Sequence, residues 1–214
     1  LRNAVIYAAQ LITSHRQEID ALNVFPVPDG DTGTNMSMTI TNASREVRVK
    51  DDSESVSAVA SCVASGLLRG ARGNSGVILS LIFRGISKGL KGLDEADGAA
   101  IASALEHGSS SAYKAVMKPT EGTILTVIRT ASEYARKAVN DGETDAVKVF
   151  DTGLEGAKAA LADTPNILPV LKKAGVVDAG GSGLVCIFTA MSDVFHGKEV
   201  NLDADEAEEA KSEE

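Results

Sequence analysis

Apolar residues recur at helical spacing along almost the whole chain, and no segment alternates apolar and polar residues for long enough to indicate a strand. The first stripe runs from Leu1 to Leu22, and the second begins at Met36. Further stripes predict helices over residues 56–67, 77–90, 95–116, 123–140, 144–162, 167–174 and 182–195. Few aromatic residues (4%) and many alanines and glycines favour closely packed helices over a β-sandwich. The sequence therefore predicts an all-α fold of about eight or nine helices.

The distribution of charge separates a body from a tail. The net charge is −9, and residues 201–214 hold seven acids and one lysine, which leaves −3 in the first 200 residues. A nearly neutral body without a basic stripe argues against a nucleic-acid-binding protein. We expect residues 1–200 to form one domain and residues 201–214 to be an acidic linker to C-terminal domains absent from this sequence. The start at Leu1 rather than Met agrees with a segment cut from a longer protein.

The two cysteines and the hydropathy pattern bear on the compartment. Cys62 and Cys186 lie in apolar helical runs, which favours reduced core thiols over a disulfide or a metal pair. No stretch reaches the roughly 18 apolar residues of a membrane helix, and no signal peptide is visible. We expect a cytoplasmic protein with no membrane span.

Four glycine-rich breaks interrupt the helical pattern: "PDGDTGTNM", "RGARGNSGV", "KPTEGTI" and "VDAGGSGLV". Each puts glycine with serine, threonine or asparagine directly before an apolar helical run. The free N–H groups and the dipole at a helix N-terminus favour anions. One such break is weak evidence, because these residues are common in loops and caps. Four in one small helical domain suggest a shared, phosphate-rich ligand.

The first break contains two aspartates, Asp29 and Asp31, separated by one glycine. If the loop curls, both carboxylates can bind one cation, and oxygen ligands suit Mg²⁺ or Ca²⁺. An EF-hand is excluded, because the fifth and twelfth positions counted from Asp29 lack an oxygen-bearing side chain. Mg²⁺ fits better, since it uses one or two carboxylates together with substrate phosphates. Thr34 and Asn35 follow at the start of the next helix; on local pattern alone, a polar turn capped by these two residues explains the segment equally well.

Familiar nucleotide and catalytic signatures are missing from the chain. It has no G-x-x-x-x-G-K-[ST] segment and no protein-kinase H-R-D or D-F-G segment. His15, His107 and His196 are isolated from one another and from acids or cysteines at ligand spacing. An enzyme built from this sequence would work by positioning and electrostatics, which is what phosphoryl transfer chiefly requires.

The segments "NVFPVPDGDTGTNM", "RGARGNSGVIL", "EGTILTVI" and "VVDAGGSGL", in this order, resemble the nucleotide-binding domain of the dihydroxyacetone kinase L-subunit family. They resemble more closely the N-terminal kinase domain of the A subunit of bacterial fatty-acid kinases, over about residues 1–200. The resemblance implies an antiparallel barrel of eight helices that binds ATP at one end, with two Mg²⁺ ions held by the first loop. It also implies a fatty-acid acceptor on a separate fatty-acid-binding B subunit, and a full-length protein that is a homo-oligomer.

The resemblance also assigns roles to particular residues. The first loop of the dihydroxyacetone kinases carries three aspartates; Asp29 and Asp31 match the second and third, and Asn23, one residue further away than expected, stands near the place of the first. Thr34 and Asn35 should lie near the phosphates and share the catalytic role of the two aspartates. The resemblance further implies that Gly73, Asn74, Ser75 and Gly76 contact the phosphates. It places Thr123 in the nucleotide pocket, and Asp178, Gly180 and Gly181 near the ribose or adenine.

A fatty-acid acceptor agrees with the lack of an evident catalytic base. Its carboxylate is ionised at pH 7 and can attack the γ-phosphate without first losing a proton, giving an acyl phosphate. Two alternatives remain. One is a kinase of the dihydroxyacetone type acting on a small hydroxy-ketone, and the other is a non-catalytic nucleotide-binding regulatory module.

Overall fold

The computed structural model describes residues 1–51 and 53–202, and within these ranges it consists of α-helices joined by loops. The all-α prediction and the predicted number of helices are confirmed. The nine helices of the described chain are α1 (Arg2–Ala21), α2 (Thr32–Val47), α3 (Val56–Gly70), α4 (Gly73–Gly89), α5 (Gly98–Ala115), α6 (Ile124–Asn140), α7 (Ala146–Ile167), α8 (Pro169–Ala174) and α9 (Ala179–Phe195).

The eight long helices form a closed ring. Each packs against the next in chain order from α1 to α7, α7 packs against α9, and α9 returns to α1, while the short α8 packs on α7. Short connections between neighbouring helices make the neighbours antiparallel. The antiparallel eight-helix barrel implied by the resemblance is therefore confirmed. In such a ring α2, α4, α6 and α9 all begin at the same end.

The barrel interior is filled by aliphatic side chains and closed by small residues. Fully buried side chains include Ile12, Met36 and Phe188. Glycines allow the closest helix contacts: a Cβ placed on Gly85 of α4 would lie 2.2 Å from the carbonyl oxygen of His107 on α5. The abundance of glycine and alanine thus serves helix packing as well as loops.

Three helices begin earlier than their apolar stripes predict. α2 begins at Thr32 rather than Met36, α4 at Gly73 rather than residue 77, and α9 at Ala179 rather than residue 182. The N–H groups of the first helical turn have no partner within the helix, so glycine, asparagine and serine are accommodated there. The glycine-rich breaks are therefore partly the first turns of helices. Ser55 caps α3, its Oγ accepting from the Ala58 N–H at 3.1 Å.

α7 continues beyond residue 162, where the sequence predicted its end, and contains Pro165. Proline has no N–H, so the carbonyl of Leu161 loses its usual helical partner. The Thr164 hydroxyl donates to that carbonyl at 2.7 Å and accepts from the Asp178 N–H at 3.1 Å. This buried threonine therefore replaces the hydrogen bond that Pro165 cannot make, and it also links the end of α7 to the start of α9.

The cysteine prediction is confirmed as to pairing: Cys62 and Cys186 are free, although each is half-buried rather than fully enclosed. None of the described helices combines the length and the apolar character that crossing a membrane requires. The predicted acidic linker lies almost entirely in residues 203–214, outside the described part of the chain.

Candidate functional site

The four glycine-rich breaks meet at one cavity of about 650 Å³ at the end of the barrel where α2, α4, α6 and α9 begin. Its volume lies in the range of small-molecule sites, about 300–1,000 Å³. Ten of the predicted site residues line this cavity: Asn23, Asp29, Asp31, Asn35, Gly73, Asn74, Ser75, Thr123, Asp178 and Gly180. Residues more than 150 positions apart in the sequence thus share one wall.

The first loop presents two carboxylates to the cavity. Asp29 is exposed, and its Oδ1 accepts from the side-chain amide of Asn23 at 2.6 Å. Asn23 is only 6% exposed, so this contact fixes the carboxylate from a buried anchor. Asp31 occupies the N-cap position of α2, yet its side chain makes no hydrogen bond to that helix.

These donors fit Mg²⁺. Two carboxylates from one loop, one of them free of capping contacts, are a suitable set for an ion that also takes phosphate oxygens and water. No cluster of three or more acids, histidines or cysteines at metal-binding distance occurs in the described ranges, so the protein alone supplies only part of a coordination sphere. The amide oxygen of Asn23 is the atom that its predicted metal contact would use, because its nitrogen faces Asp29.

The start of α4 is shaped by close backbone contact with α2. Gly73 has φ +59°, and a Cβ there would lie 2.4 Å from the amide nitrogen of Asn35. Only glycine combines this left-handed backbone with this contact. Asn74 and Ser75 follow on the cavity wall. N–H groups in the first turn of a helix are of the kind that favours anions, and this turn lies in the cavity lining.

The start of α6 contributes Thr123. This residue is 9% exposed, and its Oγ1 accepts from the Leu125 N–H at 3.3 Å while donating to the carbonyl of Thr120 at 2.7 Å. The hydroxyl therefore joins the helix start to the loop before it and borders the cavity at the same time.

Asp178 joins the N-termini of two helices. It is 5% exposed and caps α9, its Oδ2 accepting from the Gly181 N–H at 2.7 Å. Burial raises the pKa of this carboxyl from 3.8 to about 6, against the lowering effect of the Gly181 and Ile124 N–H groups that donate to it. Asp178 therefore places a buried, titratable carboxyl in the lining of the cavity.

The structure adds a residue that the sequence reasoning did not single out. Lys118, in the "KPTEGTI" break, is exposed and is the one cationic side chain among the described residues that line the cavity. A lone lysine beside a proline carries no recognisable pattern, so only its place in the same cavity lining as three carboxyl groups identifies it.

A polar network holds the loop that carries Lys118. Glu121 accepts from the Tyr113 hydroxyl at 2.9 Å, from the Thr126 hydroxyl at 2.5 Å and from the Arg129 guanidinium at 3.2 Å. Arg129 also donates to the Tyr113 hydroxyl at 3.3 Å and to Glu133 at 3.0 Å, and these two bonds, with that to Glu121, raise the pKa of its guanidinium well above the ordinary value. The loop between α5 and α6 is thus anchored to both helices.

Three predicted residues do not line the cavity. Thr34 donates its N–H and its hydroxyl to the carboxylate of Asp20, at 2.9 and 2.7 Å. Gly76 packs against Thr39, whose Oγ1 would lie 2.3 Å from an added Cβ. Gly181 has its N–H on Asp178. The contacts that the structure shows for these three residues are capping and packing contacts.

Comparison with known proteins identifies the class. The family described as the DAK2 domain matches residues 26–193, and the chain belongs to this family. Protein YloV of Bacillus subtilis is 47% identical over 196 residues, which are 92% of this chain and 35% of that protein. An uncharacterised protein of Staphylococcus haemolyticus is 48% identical over 186 residues, 86% of this chain and 33% of that protein. The chain thus spans about a third of the length of these relatives.

Two solved structures share the fold. The dihydroxyacetone kinase from C. freundii in complex with AMP-PNP and Mg²⁺ superposes with a TM-score of 0.65 at 17% identity, over 91% of this chain and 33% of that one. The native form of the same enzyme gives a TM-score of 0.61 at 19% identity, over 90% of this chain and 34% of that one. At this identity the likeness concerns the fold.

Proposed function

We propose that this domain binds ATP with Mg²⁺ and transfers the γ-phosphate to the carboxylate of a fatty acid carried by a separate fatty-acid-binding protein. The observation that carries the proposal is the meeting of four helix N-termini around one cavity that also presents Asp29 and Asp31. Convergent backbone N–H groups favour phosphate, and the free carboxylates favour a divalent cation beside it. The C. freundii kinase of the same fold was crystallised with AMP-PNP and Mg²⁺, which supports this pairing.

The residues divide the work as follows. Asp31 and Asp29 hold Mg²⁺, with Asn23 orienting Asp29, and the bound metal neutralises negative charge on the phosphates. The first turn of α4, from Gly73 to Ser75, and Asn35 receive the phosphate oxygens. Lys118 adds a positive charge to the cavity lining, where it stabilises charge on the phosphoryl group in transit. Thr123, Asp178 and Gly180 border the nucleoside end.

The proposed acceptor agrees with the residue types in the cavity lining. No histidine occurs among the described residues that line the cavity. A carboxylate oxygen attacks the γ-phosphorus, the bond from that phosphorus to the bridging oxygen of ADP breaks, and ADP leaves with the electron pair. No proton has to be removed from the acceptor, and the product is an acyl phosphate. An alcohol acceptor would have to lose a proton to a base. The carboxyl groups in the lining are those assigned here to the metal, Asp29 and Asp31, and to the cap of α9, Asp178.

A second candidate is a kinase of the dihydroxyacetone type. The fold match to the C. freundii enzyme favours it. The first loop disfavours it, because Asn23 stands near the place where the resemblance implies a third aspartate. For the full-length protein we propose this fatty-acid reaction with its carrier protein, a cytoplasmic location, homo-oligomerisation and further C-terminal domains.

Phosphoryl transfer from labelled ATP separates the possibilities. The full-length protein would be incubated with Mg²⁺ and either a fatty acid on its binding protein or dihydroxyacetone. We expect label in an acyl phosphate and none in dihydroxyacetone phosphate. Hydroxylamine should then convert the acyl phosphate to an unlabelled acyl hydroxamate and release the label as inorganic phosphate. Label on dihydroxyacetone alone would refute the acceptor, while nucleotide binding without transfer to either would favour a regulatory module.

A further inference from the structure

The first turn of α2 is capped by a residue from another helix. An aspartate at an N-cap ordinarily accepts the N–H of the second or third helical residue. In α2 the third residue is Thr34, and its N–H donates instead to Oδ1 of Asp20 on α1, at 2.9 Å. The Thr34 hydroxyl donates to Oδ2 of the same carboxylate at 2.7 Å. Asp31, the residue at the N-cap, makes no capping bond.

The other aspartate caps show that this arrangement is unusual within the protein. Four helices of the described chain begin after an aspartate. In three of them the aspartate accepts from the third helical N–H of its own helix, at 2.7–2.9 Å: Asp97 from Ala100, Asp145 from Lys148 and Asp178 from Gly181. Asp31 is the exception, and it is also the one aspartate of the four that lies in the same loop as Asp29.

Capping of α2 by Asp20 in place of Asp31 depends on how closely α1 and α2 approach each other. A Cβ on Gly33 would lie 2.2 Å from the carbonyl oxygen of Arg16, so glycine is required where α2 meets the turn of α1 just before Asp20. This contact brings the Asp20 carboxylate to the N-terminus of α2. The Asp20 carbonyl also accepts from the Asn23 N–H at 3.1 Å, so the same residue fixes the start of the loop that carries Asp29.

We propose that Asp20 is a positioning residue, which takes over the cap of α2 and thereby leaves the Asp31 carboxylate free to bind the Mg²⁺ of the nucleotide complex. This inference rests on the proposed nucleotide site. If Asp20 is removed, the Thr34 N–H becomes available and Asp31 turns toward it. Capping then competes with metal binding for the same carboxylate.

A thermal double-mutant cycle without ligand tests the cap exchange. Asp31→Ala should leave the melting temperature almost unchanged in the wild type, and lower it by about 2–4 °C in the Asp20→Ala background, where Asp31 has become the cap. Asp20→Asn is the matched control. It removes the charge but keeps an oxygen that accepts the Thr34 N–H, so Asp31→Ala should again have little effect. Equal effects in all three backgrounds would overturn the exchange, and a large effect in both Asp20 variants would assign the coupling to charge.

Mg²⁺ dependence of nucleotide binding tests the consequence. With AMP-PNP fixed, Asp20→Ala should raise the Mg²⁺ concentration at half-saturation about fivefold, the factor that corresponds to the free energy of one N-cap. Binding without Mg²⁺ should not change, and Asp20→Asn should restore most of the loss. Asp97→Ala, which removes a cap at the opposite end of the barrel, should lower stability without moving the Mg²⁺ dependence.

The outcomes distinguish this inference from the proposed function. An unchanged Mg²⁺ dependence in Asp20→Ala, while the wild type binds Mg²⁺ and AMP-PNP, would refute the positioning role alone. A wild type without Mg²⁺-dependent binding would refute the proposed function and the metal role with it, and the thermal cycle would still decide the cap exchange.

Discussion

Asp178 gives the folded protein a pH dependence whose direction follows from its surroundings. Burial raises its pKa from 3.8 to about 6, despite the N–H donors of Gly181 and Ile124. Between these two values the folded protein holds a proton that the unfolded chain releases. The stabilisation is therefore fully present below about pH 4 and is lost as the pH rises through about 6.

The magnitude follows from the size of the shift. One pKa unit corresponds to about 1.4 kcal/mol, so the whole contribution is about 3 kcal/mol, of which about 1 kcal/mol is lost between pH 5 and pH 7. Asp178→Asn removes the titrating group and keeps an acceptor for the Gly181 N–H. Other carboxyls titrate in both proteins and cancel in the difference between them.

Urea unfolding of the two proteins at several pH values measures this difference. We expect the free energy of unfolding of the wild type, relative to Asp178→Asn, to fall by about 1 kcal/mol from pH 5 to pH 7 and then to stay constant. Equal m-values at each pH would show that the same surface unfolds in both proteins. A difference that rises with pH would refute the reasoning, because it would mean that the two helix N-termini outweigh burial and keep the carboxylate ionised.

Two further substitutions separate catalysis from packing. In a steady-state phosphoryl-transfer assay, Lys118→Met should lower kcat by about ten- to a hundredfold, because it removes a charge from the cavity wall, with little change in the melting temperature. Lys118→Arg keeps the charge and should retain most of the activity. A kcat of Lys118→Met equal to that of the wild type would exclude Lys118 from the reaction. Gly85→Ala should lower the free energy of unfolding, measured with urea, by about 1–3 kcal/mol, because the added Cβ would lie 2.2 Å from the His107 carbonyl oxygen. Its affinity for AMP-PNP should be unchanged. Unaltered stability would show that α4 and α5 can move apart without loss of stability.

Much of the fold is encoded in local sequence pattern. The apolar stripes predict every long helix, because a barrel of amphipathic helices buries one face of each. The starts of α4 and α9 are less visible, since glycine and serine in a first helical turn look like loop residues. The extension of α7 past residue 162 depends on the Thr164 hydroxyl, a contact that no propensity describes.

The candidate site was predictable where one short segment carries the chemistry. Asp29 and Asp31 are recognisable from their spacing, and the four breaks from their composition. Asp20 and Lys118 were not, because the roles proposed for them rest on how separate segments of the chain lie together: Asp20 contacts Thr34 of the next helix, and Lys118 shares the cavity lining with Asp29 and Asp31. Thr34 shows the same limit in reverse: its residue type suits a phosphate contact, but the carboxylate of Asp20, 14 positions earlier, engages it.

Calorimetric titration with AMP-PNP, with and without Mg²⁺, tests the central claim most directly. It would be carried out on the wild type, on Asp31→Ala and on Asp97→Ala as a control for the loss of an aspartate. The proposal predicts Mg²⁺-dependent binding by the wild type and by Asp97→Ala, weakened at least about tenfold in Asp31→Ala, the loss expected for one charged metal ligand. Binding that is indifferent to Mg²⁺, or equal affinity in Asp31→Ala, would contradict the assignment of this cavity as a site for ATP with Mg²⁺.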